Sequence, residues 1–460
     1  MPRLAIVSTY NQSCGNASYT YALKKAFSEH LETDVIPLDL FLLRTKGSLF
    51  NKHGDDHIRE IARRLRDYDY VNIQFEAGLF GSSLKSIQRR TEWLIDAAKN
   101  LIFTMHRIDP LSSTKAEVVK KAVSSLNHRQ MVSTLRKRAY ELLYYNLINK
   151  CREASRTKNV WIAVHTTRER RIVKDLYKFD NCFDFPLTFL FPEEREELRR
   201  TATRSQFLKR HSIPEDRKVV GAFGYIAQYK GFDTLIRCLW HLPDDYVLCI
   251  FGSQHPMSIK PQSHIEPYLG SLLEQMKREA KEYIDSRVER IKDLASTTVT
   301  PDEVSDLANF DPADRIRFMG NMPDPEFIEA LHCCDAVVLP YLEVGQSMSG
   351  VVSLAMESDA RLFCSNNLSF FEVRKYYGNS YHTFDMGNYI EIAQKVQFAT
   401  GDFAEERDSA FAKYNIRNGV IEHLLRFQAN GDRLIGGDSE TVPRRSVPAE
   451  RAELEAVSAD

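Results

Sequence analysis

Short apolar runs recur along the chain, each followed by a polar or glycine-bearing turn. Leu4-Ala5-Ile6-Val7-Ser8-Thr9, Thr33 to Leu38, Tyr70 to Phe75 and Leu101 to His106 are the first four. They read as strands buried on both faces, which a parallel sheet requires. Between them lie stretches of helical period: residues 19–32, with Tyr21, Leu23, Phe27 and Leu31 as candidate core, then Arg59 to Arg66 and Ser86 to Lys99. Strands alternating with helices predict a doubly wound α/β sheet. Ligands of such sheets bind beyond the carboxyl ends of the strands. The loops after Thr9, Phe75 and Met105 are therefore the places to search.

The pattern then pauses and restarts. Val160 to His165 and Phe183 to Leu187 close the first unit, and the charged stretch Pro192 to Arg210 reads as the passage out of it. Lys218 to Phe223 and Tyr246 to Gly252 open a second βα rhythm, resumed by Arg315 to Met319, the helix Glu326 to Cys333, Asp335 to Leu339 and Ala360 to Cys364. The chain divides into a first domain over 1–200 and a second over 215–427. Residues 253–313 form a charged insertion, expected as an exposed helix. Residues 428–460 have no apolar period and are expected to be a disordered tail.

Composition narrows the class. Lys and Arg number 62 against 63 Asp and Glu, a formal charge of −1, so nothing global points to nucleic acid. No apolar stretch is long enough to span a membrane, and the start lacks the long apolar region of a signal peptide. The eight cysteines are scattered without metal-ligand spacing, so neither a metal nor another cofactor is expected, and the location is read as cytoplasmic. One segment departs from the average. Residues 112–158 hold eleven basic residues against three acids, interleaved with Leu135, Tyr140, Leu142, Leu143, Tyr144, Leu147 and Ile148. It is either an amphipathic helical pair with a solvated basic face, or a face for an anionic acceptor or the inner membrane surface.

The stretch Pro340 to Glu357, PYLEVGQSMSGVVSLAME, follows the strand Ala336 to Leu339 and carries Gly345, Gln346, Ser347, Met348, Ser349 and Gly350 before a helix opens. A strand, a loop of small polar residues and a helix N-terminus make an anion site, because the first helical turn has unpaired N–H groups and a positive dipole end. An ordinary strand-to-helix connection has the same outline.

Five segments, in order, resemble the glycosyltransferase family 4 group, whose GT-B fold is two Rossmann-like domains facing a central cleft. Ser8 to Ala17, with Asn11 and Gly15, is similar to the family's glycine-bearing first loop. Phe103 to His106 resembles its strand ending in histidine. Phe223 to Ile236 resembles its donor-phosphate segment: Gly224, Lys230 and Gly231 match, but Tyr225 stands where the family has arginine. Arg317 to Asn321 is similar to the segment beside the nucleotide base. Pro340 to Glu357 resembles the donor loop, although Gln346 and Leu354 occupy the positions of the family's two glutamates. Family variants with a Gly-Gln-Ser-x-Ser-Gly loop have the same look.

The resemblance implies a glycosyltransferase that moves a sugar from a GDP- or UDP-linked donor to a glycan or lipid-linked acceptor. It implies retention of configuration without a metal, in surface polysaccharide or glycoconjugate synthesis. Lys230 and the loop Gln346 to Gly350 would hold the diphosphate, Gly15 and Asn321 would flank the donor, and His106 would contact the sugar. Glu343 is the candidate stand-in carboxylate, and Glu76 and Asn11 face the acceptor side. The lost arginine and carboxylates also fit a non-catalytic nucleotide- or glycan-binding partner of another transferase. A sugar-nucleotide epimerase lacks its paired carboxylates here, and no G-x-G-x-x-G follows the first strand to suggest nicotinamide chemistry.

Overall fold

The computed structural model describes residues 1–12, 14–111, 128–254, 265–294, 314–343, 345, 347–401 and 403–428. It contains two six-stranded sheets. In the first, β1 (Arg3–Ser8), β2 (Glu32–Pro37), β3 (Tyr70–Phe75), β4 (Asn100–Met105), β5 (Val160–Val164) and β6 (Cys182–Asp184) lie in the order β2-β1-β3-β4-β5-β6. In the second, β7 (Lys218–Phe223), β8 (Tyr246–Phe251), β9 (Ile316–Gly320), β10 (Ala336–Leu339), β11 (Leu362–Ser365) and β12 (His382–Phe384) lie in the order β12-β11-β10-β7-β8-β9. The named strands pair in parallel throughout. This is the doubly wound α/β plan that the apolar runs predict: β3 and β8 are buried at every position.

Strand order reverses between β1 and β3, and between β7 and β10. The crevice at such a reversal is where loops diverge and leave room for a ligand. In the second sheet those loops are Gly224 to Gly231 after β7 and Pro340 to Gly350 after β10. The two predicted donor segments therefore meet at the switch point.

Three features differ from the sequence reading. Tyr21 is 59% exposed, and the buried tyrosine of the helix Gly15–Phe27 is Tyr19. The helix Ile416–Phe427 follows the second sheet in sequence but packs on the first domain. Its Phe427 ring lies 4.8 Å from that of Tyr70, His423 meets Phe27, and Asn159 donates to the Arg426 carbonyl at 2.8 Å. Its apolar stripe requires a partner, but periodicity does not say which sheet supplies it. The helix Pro267–Leu294 is not free-standing: Leu272 and Ala280 are buried, and Gln275 donates to the Asp233 carbonyl on the neighbouring helix Phe232–Leu239.

In the basic segment, the helix His128–Ala154 buries Leu143, Tyr144, Leu147, Ile148 and Cys151 in the first domain. Leu135, Arg136 and Lys137 are exposed. Residues 112–127 lie outside the described residues, as do most of the second insertion's flanks (255–264 and 295–313) and the tail 429–460. Among the described residues no helix is long and apolar enough to cross a membrane.

Candidate active site

β7 ends at Phe223, and the chain turns at Gly224, whose φ is +109°. A short turn over Gln228–Lys230 follows, then Gly231 with φ +69°. A side chain at 231 would place its Cβ 2.2 Å from the Pro340 carbonyl oxygen. Only glycine both adopts that backbone and fits against the loop after β10. Lys230 is thereby turned inward. It is 5% exposed, its Nζ donates to the Tyr341 hydroxyl, and it lies 3.8 Å from the centre of the Tyr341 ring. The Nζ also sits 3.3 Å from where a Gly224 Cβ would stand. Burial pushes the amine down to about 7, and among the described residues no carboxylate pairs with it. A buried amine in this setting gains when an anion arrives, because desolvation is the cost of its charge.

The loop after β10 is held from several sides. Ser365 and Asn367 donate to the Tyr341 carbonyl, at 2.6 and 3.3 Å, and Ser349 pairs with the Tyr341 hydroxyl. Glu343 accepts from the Gly345 N–H with one oxygen and from the Leu368 N–H with the other, both at 2.8 Å. Its carboxylate therefore works as a clamp between this loop and the start of the helix Leu368–Tyr377. Ser347 and Met348 face the first domain: the Leu187 N–H donates to Met348 Sδ at 3.0 Å, and Ser347 lies against Glu169. Burial lifts Glu169 to about 7. Beside Gly350, which opens the helix Gly350–Glu357, the space a Cβ would fill meets the Phe189 ring at 3.2 Å. Glu357, at the far end of that helix, accepts the N–H groups of Phe189 (2.9 Å) and Leu190 (3.0 Å). It ties the passage between domains to the donor loop.

The first domain presents the ends of β3 and β4. His106 is half-buried just beyond β4, and desolvation lowers it to about 4, so it is neutral at pH 7. Its Nε2 is 2.8 Å from Gln74 Oε1. The Gln74 amide in turn donates to Asn72 Oδ1, and Asn72 donates to Thr104. The relay makes Nε2 the proton carrier and leaves Nδ1 as an acceptor. Tyr19 packs edge-on to His106, with ring centres 5.8 Å apart, and also to Phe189 at 5.7 Å. A chain of rings thus joins the histidine to the loop after β10. Glu76 follows β3; desolvation raises its carboxyl, an effect opposed by Arg107 and Arg44. Arg107 binds Asp109 Oδ1 through Nε at 2.9 Å, and its Nη2 lies 3.8 Å from the Cβ position of Gly345 across the domain boundary.

No protein-family model matches the sequence, and no curated protein does. Solved structures do match in fold. Anabaena HepE in complex with UDP-glucose superposes with a TM-score of 0.53 at 13% identity, over 92% of this chain and 100% of that one. WaaG, a glycosyltransferase involved in lipopolysaccharide biosynthesis, gives 0.54 at 11% identity, over 94% and 100%. Sucrose-phosphate synthase from Thermosynechococcus elongatus gives 0.55 at 14%, over 93% and 98%. These are glycosyltransferases with two Rossmann-like domains. The fold is GT-B.

Within this GT-B frame, Gly224, Lys230, Gly231, Ser347, Met348, Ser349 and Gly350 come together at the β7–β10 switch point, with Glu343 at its rim. His106 and Glu76 stand at strand ends of the first domain, and His106 is linked to Gly350 through the rings of Tyr19 and Phe189. Gly15 is exposed at the first residue of its helix with open space beside it, and Cys14 next to it approaches Tyr225. Asn11 and Asn321 are exposed in the loops after β1 and β9, and among the described residues neither bonds to Lys230. Gln346 lies outside the described residues. Two surface cavities, of about 360 and 320 Å³, flank the helix Leu368–Tyr377 and include neither Lys230 nor His106. Sequence reasoning overlooked Tyr341, Tyr19, Arg107 and Glu169. Arg107 carried a signal, since it directly follows the histidine at the strand end; the others are told from ordinary core residues only by three-dimensional packing.

Proposed function

We propose that this GT-B protein is a glycosyltransferase using a nucleoside-diphosphate sugar. The observation that carries the reading is the buried Lys230 amine, held at the switch point against Tyr341 and, among the described residues, without a carboxylate partner. On this reading the sugar C1–O bond to the β-phosphate breaks and its electron pair goes to the phosphate oxygen. Lys230 and the Ser347–Gly350 loop stabilise that charge. The acceptor hydroxyl attacks C1 from the same face and gives its proton to the departing phosphate, so configuration is retained without a metal. His106 accepts a hydrogen bond from a sugar hydroxyl through Nδ1, and Glu76 orients the acceptor. HepE in complex with UDP-glucose makes UDP sugars the first donors to test, with GDP sugars beside them.

A glycan or lipid-linked acceptor on the cytoplasmic side of a membrane, in polysaccharide or glycoconjugate synthesis, completes the proposal. The exposed basic part of the 112–158 segment would serve as the contact with that surface. The test is turnover of a UDP- and GDP-sugar panel by wild type and by Lys230→Met. Donor hydrolysis or transfer that disappears in the variant supports the reading. Tight nucleotide binding without turnover on any acceptor supports the second reading, a non-catalytic binding partner. That reading is favoured by Tyr225, by Leu354 and by the full engagement of Glu343 with backbone amides.

A further inference from the structure

We propose that Arg107 is the second cation for the donor diphosphate, delivered from the first domain in place of the arginine that Tyr225 displaces. This rests on the nucleotide-sugar reading above. The need is electrostatic. The diphosphate linkage carries about two negative charges in a poorly hydrated site, and Lys230 supplies at most one positive charge. Tyr225 supplies none.

Arg107 is placed to meet the need. It follows His106 at the end of β4, and its Nε is fixed by Asp109 at 2.9 Å. That single bond orients the planar guanidinium and leaves Nη1 and Nη2 without a hydrogen bond among the described residues. Nη2 points across the domain boundary to within 3.8 Å of the Cβ position of Gly345, in the same loop as Ser347 and Ser349. Gly345 holds φ +68°, and its N–H is fixed by Glu343. An L side chain there would strain the backbone, and its Cβ would rest in ordinary contact with the guanidinium. A fork with two free donors opening over a phosphate-type loop suits a β-phosphate, which it can grip through two oxygens. Because the cation belongs to the first domain and the loop to the second, the diphosphate would also bridge the two domains.

The test is calorimetric titration of UDP, GDP, UMP and GMP into wild type, Arg107→Gln, Arg107→Lys and the Arg107→Gln/Tyr225→Arg double variant, with thermal midpoints confirming the fold. The expected result is a rise in the diphosphate dissociation constant of about ten- to a hundredfold for Arg107→Gln, with the monophosphates changed by less than about threefold. Arg107→Lys should recover part of the loss, and Tyr225→Arg should rescue the glutamine variant. Unchanged diphosphate affinity, equal losses for mono- and diphosphates, or a rise confined to the acceptor KM would each overturn the assignment. Wild type that binds no diphosphate would overturn both this inference and the transferase reading. Diphosphate binding lost in Lys230→Met but intact in Arg107→Gln would overturn this inference alone.

Discussion

Replacing Lys230 by methionine should make the unliganded protein more stable at neutral pH while destroying its function. Burial takes the amine from an ordinary 10.5 to about 7. At about 1.4 kcal/mol per pH unit, charging it in the folded protein costs on the order of 5 kcal/mol. Methionine fills nearly the same space without a charge and forfeits the bond to the Tyr341 hydroxyl, roughly 1 kcal/mol. A net gain of a few kcal/mol remains, which corresponds to a thermal midpoint higher by roughly 5–10 °C for a domain of this size. The sign with pH follows from linkage. The folded amine binds its proton less tightly than the unfolded one, so between about 7 and 10.5 the unfolded chain holds the extra proton and stability rises with pH. The penalty is complete below that window and absent above it. The assay compares thermal midpoints of wild type and variant near pH 6.5 and near pH 9.5, with and without UDP. The variant's advantage should shrink at high pH, and its UDP-induced shift should be lost. A variant less stable than wild type at pH 6.5, or a difference that does not change with pH, would refute the idea of an uncompensated buried cation.

Four further substitutions, at three positions, probe how the loop is held. Glu357→Leu orphans the buried N–H groups of Phe189 and Leu190 and should cost about 2–4 kcal/mol, read from denaturation midpoints. Glu357→Gln keeps an acceptor. Burial raises this carboxyl to about 8, so its stabilising effect is full below the ordinary carboxylate range and fades as pH climbs through 8. Relative to wild type, the glutamine variant should therefore gain stability between pH 5 and pH 8.5. Gly231→Ala drives a Cβ into the Pro340 carbonyl at a backbone angle alanine resists, and should lose about 1–3 kcal/mol or more together with nucleotide binding, measured by thermal shift with UDP. Glu343→Gln keeps one of the two clamps to Gly345 and Leu368, so turnover should fall less than about tenfold; abolished turnover would make it a reacting group instead.

The sheets were legible because parallel strands covered on both faces must be apolar throughout, as Tyr246 to Phe251 is. β12 escaped because His382-Thr383-Phe384 is too short to form such a run and lies at the sheet edge. Tyr19 and Tyr21 are two residues apart on one helix, and the pattern of that helix does not decide which of them turns inward. Arg90 shows a deeper limit. It is 1% exposed and bonded to Asp55, to the Phe80 carbonyl and to Asn51, so a residue that reads as solvated is the buried strut of the first domain. Contacts between segments far apart in sequence, such as Arg107 with Gly345 or Glu357 with Phe189, leave no local trace.

The differences from the pattern this sequence resembles make more sense together than singly. A carboxylate close to Lys230 would hold the amine charged without a ligand. Here Leu354 stands at one glutamate position, and the nearby carboxylates are committed elsewhere: Glu343 to two amides and Glu357 to the domain passage. The lysine is therefore left near its neutral form until an anion enters. Around Lys230 itself no carboxylate pairs with the amine among the described residues, and the acids lie beside Arg107 instead, as Asp109 and Glu76. On this reading Lys230 and one arginine suffice, and Tyr225 is free to be uncharged. On the transferase reading, the absent carboxylates and the absent arginine form one coupled difference in site charge, and proton uptake by Lys230 on diphosphate binding would be its measurable consequence.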